Sequence, residues 1–433
     1  MGELIREKTT LSILKNTDCV GWDCNSVPQN VEINDIRLIT DFKKHAFGGY
    51  QKSKVVSTLD KEITLENVNN ACYWAIQLMI SGVIEPLWNK YLAIAAKQIN
   101  IANPLMPVFL LQKTLVLKNK IANKKQNQVL QLRNNSVVRN LIVEMTSLLT
   151  LSRKRKLEVL PKIKNEDFIV TVFQNKLEAK DTTLVNNFIQ SEDPSEVRIA
   201  INEFAHHLRN RNNYKSLYWL NWILEWEKMN RKKYNKFEVA QRIQEGVDSK
   251  FSKCVIWLVW KIINTIRTQK SLELNISVRE NNQIDALWSL FRYEFTIGKQ
   301  SVRVSYIIWA IKYMTSQIDW KIPLVERESL HFQAIANVNL IIKNMKGQEV
   351  KNNLYDDMKY NLAVHNHYIQ TESHDTLKRL QQEQIDKKKR EEDVKLQKAL
   401  KKEQLVMEKM AKKKKITLLS MKKLDALNNI DIF

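Results

Sequence analysis

The sequence predicts an all-α protein, and three observations support this fold class: scarce glycine and proline, apolar residues at helical spacing, and helix-capping residues at segment ends. The chain has 433 residues but only 8 glycines and 7 prolines, where average usage gives roughly 30 and about 20. Turns and β-hairpins depend on both residues, so β-sandwiches, barrels and glycine-rich nucleotide-binding folds are disfavoured. From about residue 64 onward, apolar residues recur three and four positions apart, as in amphipathic helices. We therefore predict a multi-helix bundle or an irregular solenoid of helical hairpins.

The first predicted unit is a helical hairpin. An apolar stripe predicts a helix over residues 65–81, and Gly82 follows it as a C-cap. Pro86 opens the second helix in its first turn, where a missing amide hydrogen is tolerated, and Asn103 and Pro104 close that helix. Paired helices of this kind are the building units of bundles and solenoids.

The clearest helix start later in the chain is the run from Asp193 to Glu196. We expect Asp193 to be the N-cap, Pro194 to occupy the first helical position, and Glu196 to complete a capping box. The other predicted helices cover residues 105–120, 135–151, 216–229, 250–267, 284–295, 302–317 and 329–345.

Composition shifts divide the chain into five regions. We predict a basic N-terminal arm at 1–60, a helical body at 61–345, a polar connection at 346–375, a basic helix at 376–415 and an apolar-tipped tail at 416–433. The fourth region has 15 Lys and Arg against 7 Asp and Glu and no glycine or proline, a composition typical of a long solvated helix or of disorder. We expect one long basic C-terminal helix that pairs only when a partner is present.

The whole chain carries a formal charge of +22. Such a charge attracts DNA, RNA, acidic proteins or anionic lipid surfaces, although a lysine-rich solvated surface explains it equally well. If several basic clusters meet on one face, they form an anion-binding surface for phosphates rather than for base edges. The candidate anion-binding residues are Lys43, Lys44, Lys124, Lys125, Arg153, Lys154, Arg155, Lys156, Arg231, Lys232, Lys233, Lys387, Lys388, Lys389, Arg390, Lys412, Lys413, Lys414 and Lys415.

Cysteine usage and hydropathy indicate a reducing compartment and no membrane span. Cys72 and Cys254 lie in apolar helical stretches and are predicted to be core residues. Cys19 and Cys24 could supply two zinc ligands, but no second Cys/His pair follows at finger spacing. The first residues are mixed and charged, so we expect no signal peptide, and the longest apolar run, 254–260, is far shorter than the ~20 residues of a transmembrane helix.

No catalytic or metal-binding motif stands out. The stretch 48–53 has a Lys-Ser pair but lacks the upstream glycine and the strand of a phosphate-binding loop. His365, His367 and His374 cluster without the spacing of helical metal ligands, and solvated histidines are the better interpretation. We therefore expect no enzyme activity, no bound metal, no cofactor and no small-molecule substrate.

Aromatic and histidine residues are predicted to pack in the core. His206 and His207 are adjacent, so at most one of them faces the interior. The tryptophans could stack on nucleobases, but their sequence neighbours are Leu, Ile and Val rather than Lys and Arg, which favours a helix–helix core. These tryptophans are Trp219, Trp222, Trp226, Trp257 and Trp260.

Seven separated motifs occur in order along the chain: NACYW at 70–74, NPLMP at 103–107, LRNN at 132–135, EDP at 192–194, AINEFA at 200–205, VDSKF at 247–251 and IWLVW at 256–260. Together they resemble a helical protein family carried by giant DNA viruses of protists and algae. This resemblance covers roughly residues 40–345 and excludes the basic tail. A second, local resemblance over about residues 68–112 rests on Tyr73, Trp74, Gly82, Pro86, Leu87, Asn103 and Pro104. It is to the helical collar of clamp-loader-related ATPases, although the chain lacks their phosphate-binding loop.

The viral resemblance implies a protein made in an infected eukaryotic cell, in the virion or in a cytoplasmic virus factory. The first functional hypothesis is a non-enzymatic structural or assembly protein, such as a minor capsid component. Its basic surfaces would bridge other virion proteins, a membrane surface or the packaged genome. The alternative is a sequence-nonspecific nucleic-acid-binding accessory factor in viral replication or transcription.

Overall fold

The computed structural model describes residues 31–235, 237–268 and 276–351. The predicted all-α class is confirmed: these residues form helices, and their one β-type pairing is an isolated bridge between His45 and Gln51. The predicted basic helix at 376–415 and the tail at 416–433 lie outside the described residues. The α-helices are α1 Lys52–Thr64, α2 Val68–Ile80, α3 Ile84–Ile94, α4 Met106–Ile121, α5 Gln126–Gln131, α6 Ser136–Leu151, α7 Val170–Gln174, α8 Ser195–Arg209, α9 Asn213–Tyr234, α10 Ile256–Ile266, α11 Val278–Arg292, α12 Ile297–Thr315, α13 Glu328–Ala336 and α14 Val338–Met345.

The first predicted hairpin forms as α2 and α3. Gly82 follows α2 with φ of +74°, the left-handed conformation in which glycine has no Cβ penalty. The second helix is less regular than predicted, because α3 passes into a π-helical turn at Ala95–Ile99 and then reaches Asn100 at φ of +41°. The Asn100 amide donates to the carbonyl of Arg155, so a later segment of the chain holds this irregular turn in place.

Helix α12 runs antiparallel to α9. The Thr315 hydroxyl at the C-terminal end of α12 bonds Asn213 at the start of α9 (3.3 Å). Near the other end, the Gln300 amide donates to the carboxylate of Glu227 (3.3 Å). Each helix is therefore beside the other over most of its length, and the C-terminal third of α9 lies near the start of α12.

Helices α4 and α11 run parallel to each other. Near the start of α4, the backbone amide of Val108 donates to the Gln283 side chain of α11 (3.1 Å). Near the end of α4, the Lys118 ammonium lies 5.5 Å from the centre of the Tyr293 ring. Tyr293 follows α11 directly and precedes α12 by a few residues. The C-terminal ends of α4 and α9 are therefore at the same end of the bundle, where α11 turns into α12.

Aromatic and aliphatic residues form one continuous core. The predicted tryptophans and both predicted cysteines, Cys72 and Cys254, are buried there, so their assignment as core residues is confirmed. Trp257 and Trp260 pack against the aromatic residues of α11 with ring centres 5.1 to 6.0 Å apart, and Trp257 also lies 4.7 Å from Phe295, just after that helix. Among the described helices, none combines the length and the apolar character that crossing a bilayer requires.

The predicted capping role of Asp193 is wrong. Helix α8 begins at Ser195 with Pro194 as its N-cap residue. The carboxylate of Asp193 instead accepts hydrogen bonds from the Arg242 guanidinium and from the backbone amides of Gln190 and Ala240. An ion pair with arginine and two backbone amides occupy both carboxylate oxygens, so the tertiary contact replaces the local one.

The second half of the predicted N-terminal arm packs on the body. Ile33, Phe42 and Phe47 are buried in the core, and α1 begins at Lys52. The carboxylate of Asp35 accepts a bond from the amide of Val350 (2.9 Å). The packed body therefore begins before residue 60 and continues past residue 345: buried apolar residues hold the first segment, and hydrogen bonds hold the second.

Candidate anion-binding interface

The predicted basic clusters differ in their exposure and in their contacts. Lys43, Lys44, Lys124 and Lys125 are exposed. Ile39, four residues before the first pair, and Leu130, five residues after the second, both lie near Gly82. The structure therefore places the segments that carry these two clusters near the α2–α3 turn. The clusters Lys387–Arg390 and Lys412–Lys415 are outside the described residues.

The cluster at 153–156 is partly used for structure. Lys154 folds back and donates to three carbonyls at the C-terminal end of α6 (2.7 to 2.9 Å). Burial lowers the pKa of Lys154 to about 8. Arg153 bonds the carboxylate of Glu326 (2.7 Å), while Arg155 and Lys156 are exposed. Only part of this cluster is available to an external anion.

A cavity of about 230 Å³ lies beside this cluster, near the C-terminal end of α12. Arg153 and Arg155 line it together with Asp319 and apolar residues such as Ile318. A carboxylate in the lining weakens the attraction of an anion. The charge of this cavity is mixed, and it is a poor phosphate site.

The cluster at 231–233 has a different environment. Lys228, Arg231, Lys232 and Asn235 follow one another at positions i, i+3, i+4 and i+7, so they share one face of the C-terminal end of α9. With Phe237 they line a cavity of about 380 Å³. All the charged side chains of this lining are cationic.

The end of α9 builds this cavity by reversing the chain. Asn235 adopts a left-handed conformation with φ of +54°, and its amide donates to the carbonyl of Arg231 (2.9 Å). The reversal brings Phe237 beneath the helix end, where the Arg231 guanidinium lies 4.7 Å from the ring centre. Lys233 lies 4.8 Å from the ring centre of Tyr234, which is 49% exposed. The end of α9 therefore holds two cation–ring pairs, one half-buried in the cavity and one exposed.

Two acids in the second half of α9 lie outside the cavity lining. Glu225 pairs with Lys228 (3.0 Å) where both side chains are solvated, and such pairs contribute little. Glu227 is buried, and its carboxylate accepts a hydrogen bond from the backbone amide of Val255 (2.6 Å). Burial raises the pKa of Glu227. The C-terminal end of a helix carries about half a negative charge, which the cations of this turn outweigh.

The C-terminal end of α4 is also basic and lies at the same end of the bundle. Lys118, Lys120, Lys124 and Lys125 lie in or just after its last turn, at the end of the bundle that also holds the α9 cavity. Residues 86–143 contain nine Lys and Arg and no Asp or Glu. We call these four lysines together with Lys228, Arg231, Lys232 and Lys233 the basic end.

Acid–base and metal chemistry find little support among the described residues. They contain no group of three or more His, Cys, Asp or Glu placed to hold a metal ion. Ser147 and His331 form a hydrogen-bonded pair (2.8 Å), but Ser147 is 0% and His331 4% exposed, so no substrate reaches them. The prediction that one of the adjacent histidines packs is confirmed: His207 is buried beside Glu203, and His206 is partly exposed.

His331 predicts a pH-dependent stability. Burial lowers its pKa to about 4, against about 6.5 when unfolded. The unfolded chain therefore binds the proton more strongly, and stability falls as pH drops from 6.5 toward 4. When the pH is lowered from 7.5 to 5, the free energy of unfolding of wild type should fall by about 2 kcal/mol more than that of His331→Gln. Urea denaturation at both pH values measures this difference. Identical losses in both proteins would contradict this prediction.

The sequence predicted part of the α9 cavity, namely the basic run Arg231–Lys233. Lys228 and Asn235 were not predicted, although they lie three residues before and four residues after Arg231, at the spacing of one helix face. Phe237 gave no signal, because its place beneath Arg231 follows from the chain reversal at Asn235. Comparisons of the chain with protein-family models, with curated proteins and with solved structures find no match.

Proposed function

We propose that this chain is a non-enzymatic assembly protein that holds nucleic acid by its phosphates, without sequence preference, through the basic end. The α9 cavity is the observation that carries the proposal, because every charged group in its lining is a cation. Residues 31–351 have 48 Lys and Arg against 30 Asp and Glu, which gives +18 of the total +22. The body therefore contributes more of the positive charge than the tail does.

Phosphate contacts fit this surface better than base-edge contacts do. Lysine acts as a point charge toward phosphate, and most of the cations at the basic end are lysines. Lysine contacts of this type position a protein on nucleic acid but do not read its sequence. The viral setting of the proposal, in a particle or a virus factory, is supported by the sequence resemblance alone. Other virion proteins and anionic membranes are the further partners of such a role.

The test is DNA binding by the full chain as a function of salt. We expect the logarithm of the association constant to fall linearly with the logarithm of salt concentration, because each phosphate contact releases counterions. Replacing Arg231, Lys232 and Lys233 with alanine removes up to three contacts. The slope should become shallower by about 2 to 3 and affinity should fall at least about tenfold.

A matched control removes the same charge elsewhere. Lys61, Lys162 and Lys180 are exposed and lie outside the basic clusters, so their triple alanine variant should bind DNA within about twofold of wild type. If both triple variants lose affinity equally, the basic end has no special role. Binding that is absent at low salt would refute the proposed function itself.

A further inference from the structure

We propose that the α9 cavity binds an unpaired nucleobase, so that the protein prefers single-stranded over duplex nucleic acid. This inference rests on the proposed function and deepens it, because it names the form of nucleic acid and adds a stacking contact to the phosphate contacts. It concerns the lining residues Lys228, Arg231, Lys232, Asn235 and Phe237.

The stacking surface is a planar cation fixed on an aromatic ring. The Arg231 guanidinium lies 4.7 Å from the centre of the Phe237 ring, and both groups line the cavity. Guanidinium planes and aromatic rings are the two side-chain surfaces on which proteins stack unpaired bases. The contact with Phe237 orders the guanidinium before a ligand arrives, which reduces the entropy lost on binding.

The cavity also has suitable size and polarity for a nucleotide unit. Its volume of about 380 Å³ falls within the ~300–1,000 Å³ typical of small-molecule sites. Asn235 offers an amide that both donates and accepts hydrogen bonds, as the edge of a base requires. Lys228 and Lys232 are exposed on the same helix face, where they can contact the phosphates on either side of the base.

An exposed ring also lies in the last turn of α9, next to the cavity residues in sequence. Tyr234 lies three residues after Arg231 and is 49% exposed, and Lys233 lies beside its ring. Single-strand-binding surfaces combine such rings with a basic track along the backbone. A duplex keeps its base faces stacked inside the helix, so only a single strand can use this arrangement.

The experiment compares three ligands on the full chain by fluorescence anisotropy: a mixed-sequence single strand, an abasic strand of equal length, and the corresponding duplex. The abasic strand keeps the phosphates and lacks the bases. Stacking of one base is worth ~1–3 kcal/mol, so we expect the normal strand to bind at least about fivefold more tightly than the abasic strand. Equal affinities for these two strands would overturn the inference.

Charge-preserving variants separate stacking from phosphate binding. Arg231→Lys keeps the charge and removes the guanidinium plane, so the ratio of normal-strand to abasic-strand affinity should fall to about one. Arg279→Lys is the matched control, because Arg279 lies 5.4 Å from the Trp320 ring but lines neither cavity described above. Phe237→Leu, which keeps an apolar side chain on the core, should behave like Arg231→Lys.

The two proposals fail in different ways. Salt-dependent binding that is equal for normal, abasic and duplex ligands would refute base stacking and leave phosphate binding intact. A preference for the normal strand that persists in Arg231→Lys and in Phe237→Leu would place stacking elsewhere in the chain and overturn the assignment to this cavity. Absence of binding to all three ligands would refute the proposed function as well.

Discussion

Replacing Arg242 with alanine should lower the free energy of unfolding by about 3–5 kcal/mol, because it leaves the buried carboxylate of Asp193 without its countercharge. The side chain of Asp193 is 0% exposed and that of Arg242 is 9% exposed. Arg242 also donates to the carbonyls of Phe188 and Ala240 (3.1 and 2.9 Å). Its loss removes both the countercharge and these bonds, and it weakens the contact between the segments at 188–193 and 240–242.

Urea denaturation followed by circular dichroism measures this loss. The matched control is Lys250→Ala, which removes one partner of an exposed pair with Asp248 and should cost less than about 1 kcal/mol. The double variant Asp193→Ala with Arg242→Ala should cost less than the sum of its single variants, since neither charge is left alone. Equal small costs for Arg242→Ala and Lys250→Ala would show that the buried pair does not stabilise the fold.

The same pair predicts the response to acid. Burial by itself raises the pKa of Asp193, but hydrogen bonds from Arg242 and from two backbone amides outweigh it, and the pKa lies below its ordinary value. A carboxylate with a lowered pKa stabilises the fold above its unfolded pKa of about 3.9, and this stabilisation is lost as pH falls through the folded pKa. Stability curves of wild type and of the double variant should therefore converge in acid.

Replacing Trp257 with alanine should cost about 3–5 kcal/mol, the usual range for deleting a large buried ring. Trp257 is 1% exposed, and its ring centre lies 4.7 Å from that of Phe295 and 5.8 Å from that of Phe291. Its indole nitrogen donates to the carbonyl of Phe251 (2.7 Å). The variant leaves a cavity between α10 and α11 and an acceptor without its donor.

Trp257→Phe is the matched control, since it keeps an aromatic ring and removes the indole donor. We expect a cost of about 1–2 kcal/mol, from one lost hydrogen bond and a small void. Both variants are measured by urea denaturation. If alanine costs no more than phenylalanine, the ring packing seen here does not contribute to stability.

Local patterns predicted the helices and most of the core. The tryptophans of α9 and α10 are buried, as expected from their aliphatic neighbours, because burial of a helix face follows directly from its periodicity. The capping prediction for Asp193 failed although its sequence pattern was good. Its partner Arg242 is 49 residues away, and no local rule anticipates a competitor so distant in sequence.

Part of the candidate site could also be predicted from local sequence patterns. The cations of α9 could be read from helical spacing, since one helix fixes which of its own side chains share a face. The sequence could not predict that two cations of the cluster at 153–156 bond within the protein. Arg153 depends on where Glu326 packs, and Lys154 folds onto the end of α6. The distance between clusters on different helices is set by packing rather than by sequence separation.

The sequence alone determined that this chain is helical, cationic and built around aromatic residues, because composition and periodicity act over a few residues at a time. Only the tertiary structure decided which basic helix ends lie at the same end of the bundle. The antiparallel course of α9 and α12 and the parallel course of α4 and α11 place two basic helix ends at one end of the bundle. Those directions result from long-range packing of apolar faces, which no short window of sequence contains.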